Sequence, residues 1–110
     1  MANPVLIVGI VKLRITSDTL RLRLSGDEAQ AVARAGRLEE SVNIAGRRLT
    51  YALEARGEHV TASFDGERVT ISVPPGALRQ WSTSDELGLS AVHGSLRILV
   101  EKDLGRGHPG

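Results

Sequence analysis

The sequence predicts an α+β, β-rich domain made of two ββαββ units that close into a barrel or strongly curled antiparallel sheet with two helices. Three observations lead there. Short runs alternate apolar and polar residues, the period of two that gives a strand one apolar face: Val11, Leu13, Ile15; Leu20, Leu22, Leu24; Val69, Ile71, Val73. The pattern then recurs at an offset of 49 residues, where the first run falls on Val60, Ala62 and Phe64, the second on Val69, Ile71 and Val73, and Ala29 and Val32 fall on Leu78 and Trp81. Finally, the connections leave no room for long crossovers, which favours antiparallel neighbours. Two copies covering each other's edges would remove exposed strands.

The elements follow in order. Val5-Leu6-Ile7-Val8-Gly9-Ile10-Val11 has no basic segment before it and no small-residue cleavage site after it. It therefore reads as a buried or partner-covered strand rather than a signal peptide, and it is shorter than the ~20 apolar residues a membrane span needs. Ser17-Asp18 separates the first two alternating runs as a hairpin turn, with Asp65-Gly66 in the corresponding place; a glycine there suits the positive φ of a tight turn. Ser25 and Glu28 have the spacing of a capping box and Gly36 closes the first helix. Pro75 suits the first turn of the second helix, where no N–H is needed. Trp81, the only tryptophan, is the expected anchor of that helix, and Ser84-Asp85-Glu86 reads as a loop. Strands are expected over 38–44 and 49–54 in the first unit and over 87–92 and 96–102 in the second. The turn between the last two is shorter and the offset falls to 47, so Leu49, Tyr51 and Leu53 match Leu96, Ile98 and Val100. Residues 1–103 thus form a single domain with units at about 11–55 and 60–103, and 104–110 read as a flexible tail.

Composition narrows the function. With 41% hydrophobic and 25% charged residues the chain is that of a soluble globular protein. A net charge of +1 provides no global field for nucleic acid or anionic lipid. Cysteine is absent, which excludes disulfides, thiolate catalysis and cysteine-ligated zinc, and agrees with a cytoplasmic home. His59, His93 and His108 have no metal-ligand spacing, and Ser82, Thr83 and Ser84 have no nucleophile pattern around them. One phenylalanine, one tyrosine and one tryptophan make no stacking platform for single-stranded nucleic acid. What remains is the polar side of the strands: Lys12, Arg14, Arg21, Arg23, Arg68 and Arg97, with Glu54, Glu101 and Asp103. These residues form either a solvated outer face of mixed charge or the lining of a barrel, where arginines would grip phosphate and carboxylates a hard divalent cation, Mg or Mn.

The segment Leu96-Arg97-Ile98-Leu99-Val100-Glu101-Lys102-Asp103, taken with Leu20-Arg21-Leu22-Arg23-Leu24, Leu49-Thr50-Tyr51, Ala62-Ser63-Phe64 and Trp81-Ser82-Thr83-Ser84-Asp85, resembles a family of small uncharacterised bacterial proteins. Those proteins continue the last motif with a phenylalanine and a nearby cysteine; here Leu104 stands in that place and no cysteine follows. The family carries no known activity with it. A more distant likeness is to the CYTH, or triphosphate tunnel, enzymes, whose barrel is similar to a duplicated ββαββ arrangement and whose tunnel holds Arg, Lys and Glu. That likeness implies a metal-dependent phosphate or triphosphate site built from Lys12, Arg14, Arg21, Arg23, Arg68, Arg97, Glu54 and Glu101. The ExExK signature of those enzymes is missing, since Lys12-Leu13-Arg14 occupies its strand. The reading is therefore a cytoplasmic, non-catalytic binding or accessory module without a cofactor, with no membrane or nucleic-acid partner and a homodimer contact at Val5, Leu6, Ile7 and Val8. The metal-dependent phosphate barrel is its alternative.

Overall fold

Each alternating run forms the strand its period predicts, and the order of elements is ββαββ twice over. A computed structural model describes residues 12–103. They comprise β1 (Lys12–Thr16), β2 (Thr19–Ser25), α1 (Gly26–Ala35), β3 (Arg37–Ile44), β4 (Arg47–Ala55), β5 (Thr61–Asp65), β6 (Arg68–Val73), α2 (Pro75–Thr83), β7 (Gly88–His93) and β8 (Leu96–Asp103). The expected pairing strand at Val5, Leu6, Ile7 and Val8 and the expected tail at 104–110 lie outside the described residues.

The strands do not make the barrel or strongly curled antiparallel sheet that the sequence suggested. They form two separate four-stranded sheets, one ordered β1-β2-β8-β7 (sheet A) and the other β3-β4-β6-β5 (sheet B). Each joins a hairpin from the first half of the chain to a hairpin from the second, and the join is parallel: β2 on β8, and β4 on β6. Helix α1 leaves β2 in sheet A and delivers the chain to β3 in sheet B, while α2 carries it back from β6 to β7. Parallel neighbours need a connection longer than a hairpin turn: between β4 and β6 the chain passes through β5, and between β2 and β8 it passes through both helices and the whole of sheet B. Where β5 of sheet B adjoins β7 of sheet A, the Ala62 N–H donates to His93 Nδ1 at 3.0 Å rather than to a strand carbonyl. A closed barrel fails because its interior would have to hold two helices. Leu22, Leu24, Ile71, Val73, Ile98 and Val100 from both sheets share one core with Ala29 and Val32 of α1 and Leu78 and Trp81 of α2, all essentially inaccessible to solvent.

Local signals hold at the helix ends. Ser25 Oγ accepts from the Glu28 N–H at 3.1 Å, and Glu28 Oε1 accepts from the Ser25 N–H at 2.8 Å. Together these bonds make a complete capping box. Gly36, with φ 87°, closes α1 by donating to Val32 O at 2.7 Å. Its left-handed backbone is the kind that glycine adopts without strain. The two-residue difference between the halves lies in the strands rather than the turns. The β3–β4 ladder runs from Arg37↔Glu54 to Ile44↔Arg47, whereas β7–β8 runs only from Gly88↔Glu101 to His93↔Leu96. The longer hairpin leaves Val42 and Ile44 exposed near its tip.

Lys102 is the feature periodicity understates. It follows Ile98 and Val100 on the core side of β8 and is 7% exposed. Its Nζ donates to Trp81 O and to Ser84 O, each at 2.7 Å, and lies 5.5 Å from the centre of the Trp81 ring. A cation thus satisfies carbonyls left over at the end of α2, where the helix dipole favours positive charge.

Candidate functional site

The outward residues of the two sheets hold the eight charged side chains assigned above to a phosphate site, but the structure divides them. Lys12, Arg14, Arg21, Arg23, Arg97 and Glu101 share the outer face of sheet A, while Glu54 and Arg68 lie on that of sheet B. They do not converge on one interior surface.

The two outer faces occupy equivalent places beside the parallel central pairs, so each serves as a control for the other. On sheet B the cross-strand pairs of the β5–β6 hairpin are Thr61↔Ser72 and Ser63↔Thr70. On sheet A the equivalent places in the β1–β2 hairpin hold Lys12↔Arg23 and Arg14↔Arg21. These two cross-strand positions therefore stand without basic residues in sheet B, where the one arginine of the hairpin, Arg68, faces Asp65, and like charges directly opposite one another cost stability. Only Glu101 answers them: its carboxylate lies 3.5 Å from Arg21 and 3.8 Å from Arg23. Among the described residues Lys12, Arg14 and Arg97 have no ion-pair partner.

Sheet B is neutralised from within. Arg37 on β3 bonds Glu54 across the strand pair at 2.6 Å and Glu39 along its own strand at 2.8 Å, and Arg68 reaches the same Glu39 oxygen at 3.1 Å. Ser72 Oγ donates to Glu54 at 3.3 Å. These groups, with Arg56, Ser63 and Thr70, line a shallow open basin of about 420 Å³. Hydrogen bonds from Arg37 and then Arg68 hold the Glu39 carboxyl below its usual range, and the bond to Glu39 is the main cause that raises Arg37. Each carboxylate here is already matched to arginine. Arg37, Glu39 and Arg56 were missed in the sequence, although Arg37 and Glu39 stand two apart on one strand and so share a face by the same period that located the others.

On the core side of β3, opposite Tyr51, stands Glu40. Burial, and then the charge of Glu28, push its carboxyl above the usual range. A carboxyl raised in the fold opposes folding as pH climbs past its unfolded value, because the unfolded chain gives up the proton first. Glu40→Gln is therefore expected to raise the melting temperature at neutral pH, with the difference vanishing below the ordinary carboxylate pKa. Melting curves across that range check it; an equal gain in acid would point to a cause other than charge.

The described residues contain no group of three or more His, Asp or Glu close enough to hold a metal ion, and no helix among them is long and apolar enough to cross a membrane. Fold and surface together define an α+β domain of two sheets and two helices, with one sheet face basic and the other self-neutralised. The chain belongs to a family of unknown function, DUF7009, which it matches over residues 11–105. No curated protein and no solved structure matches it. Neither the comparisons nor the two open sheets support the likeness to the triphosphate tunnel barrel.

Proposed function

We propose that the protein is a non-catalytic binding module that docks an acidic protein partner on the outer face of sheet A. The observation that carries this reading is the contrast between equivalent strand pairs: lysine and arginines at Lys12↔Arg23 and Arg14↔Arg21, against threonines and serines at Thr61↔Ser72 and Ser63↔Thr70. Cations held side by side on a rigid sheet, Lys12 and Arg14 without an ion-pair partner among the described residues and Arg21 and Arg23 sharing Glu101, lose little freedom when carboxylates arrive, and arginine presents a fork that fits them. An acidic protein is favoured over nucleic acid because no aromatic side chain stands on this face to stack a base and the net charge is only +1. This places the module in the cytoplasm, calls for no cofactor, and treats the two ββαββ halves as copies of one ancestral unit in which only the β1–β2 hairpin acquired basic residues at these two cross-strand pairs.

The test gives sheet A the residues of sheet B. Lys12→Thr with Arg14→Ser is expected to leave the melting temperature unchanged or slightly raised, since opposed like charges are removed. The same pair should weaken binding of a glutamate-rich polypeptide by about tenfold or more, equivalent to ~1.4 kcal/mol. Binding by the parent protein should also fall as salt is raised, because exposed charges are screened. Unchanged affinity in the double variant would contradict the reading.

A further inference from the structure

The basic face continues to β1, the edge strand of sheet A among the described residues. Sheet A ends at β1, which pairs with β2 on one side and with no described strand on the other. An edge strand presents a row of unpaired N–H and C=O groups that another chain can pair with. Sheet B shows how such an edge is occupied from within the molecule: Ala62 of β5 turns its N–H away from β6 and donates it to His93 Nδ1. Leu13 takes the equivalent place on β1, its partner Leu22 matching the Ala62 partner Ile71, and among the described residues no side chain takes its N–H. The two faces of this edge differ in chemistry. Lys12 and Arg14 project on the outer side; Leu13 and Ile15 project on the core side, and Ile15 is 59% exposed although it follows the parity of the core.

We infer that β1 accepts an extended segment of an acidic partner protein in which carboxylates alternate with apolar residues, adding a strand to sheet A. Alternation is the required pattern, because successive side chains of a strand point to opposite faces. Carboxylates would then meet Lys12 and Arg14 while the apolar residues cover Leu13 and Ile15. Main-chain bonds supply affinity in this mode and the alternate side chains supply specificity. The inference rests on the docking reading above, and names both the partner segment and how it is held.

The test titrates the full-length chain with short synthetic peptides. One alternates glutamate and valine; a second has the same composition with the glutamates first and the valines after. Two further versions of the alternating peptide carry N-methyl groups on one or the other set of alternate residues. The alternating peptide is expected to bind, with the block peptide and one of the two N-methylated peptides at least about tenfold weaker, the other N-methylated peptide being tolerated. Equal binding of alternating and block peptides, or equal binding of both N-methylated forms, would overturn strand addition while leaving the charged docking face standing. If no acidic peptide binds more tightly than a neutral one of the same length, both readings fall. A single-stranded oligonucleotide of matched charge that binds more tightly than every peptide would assign the edge and face to a phosphate backbone instead, and would overturn the inference.

Discussion

Trp81→Ala is expected to destabilise the protein by about 3–5 kcal/mol, the range for truncating a fully buried large aromatic side chain. That is a large part of a typical stability of ~5–15 kcal/mol. The size follows from where the ring sits. Trp81 is 0% exposed, its Nε1 donates to Leu87 O at 3.3 Å, and its backbone carbonyl accepts from Lys102. Truncation opens a cavity between two helices and two sheets that share one core, so no single element can move in to fill it without disturbing the others. For a domain of this length the midpoint should fall by on the order of 20 °C. Urea or thermal denaturation measures it; a loss below about 1 kcal/mol would mean that the ring is not packed in this way.

Lys102→Met should cost on the order of 3 kcal/mol, because two carbonyls at the end of α2 lose charge-assisted bonds. Methionine keeps an unbranched stem in the same space, so the loss reports the ammonium group rather than a cavity. Hydrogen exchange in the last turn of α2 and the stretch leading to β7 should accelerate before that of β2 or β6. A variant as stable as the parent would show that water serves the two carbonyls equally well. Arg14→Ser makes the contrast: both positions carry a cation on a strand, yet the exposed one should change stability by no more than about 0.5 kcal/mol.

These two residues also mark how far the sequence reaches. Periodicity located the strands, the capping box of Ser25 and Glu28 located α1, and Trp81 was identifiable as an anchor because it is the only tryptophan. The pairing of the sheets was not legible. Period two is identical in parallel and antiparallel strands, and nothing in the composition of β2 or β6 specifies that β8 and β4 lie beside them in the same direction. The structural role of Lys102 could have been noticed, since it keeps the inward parity of Ile98 and Val100. A charged residue at the end of a strand ordinarily reads as the return to solvent, and only the position of α2 supplies the carbonyls that make burial tolerable. The charged faces were found as residues but not as surfaces. Strand period assigns a side, while only the pairing of β1 with β2, and of β5 with β6, reveals that one hairpin opposes basic residues where the other opposes hydroxyls.

Sheet A, and not sheet B, is the face expected to receive an acidic partner. Backbone amide shifts of the isotope-labelled full-length protein, followed by nuclear magnetic resonance as a glutamate-rich peptide is added, test it most directly. The largest changes are expected to map to Lys12–Thr16 and Thr19–Ser25, extend to Arg97 and Glu101, and weaken with added salt. Arg37, Glu39, Glu54 and Arg68, already committed to one another, should stay close to their starting positions. Changes centred on the sheet B basin, or spread evenly over both faces, would contradict it.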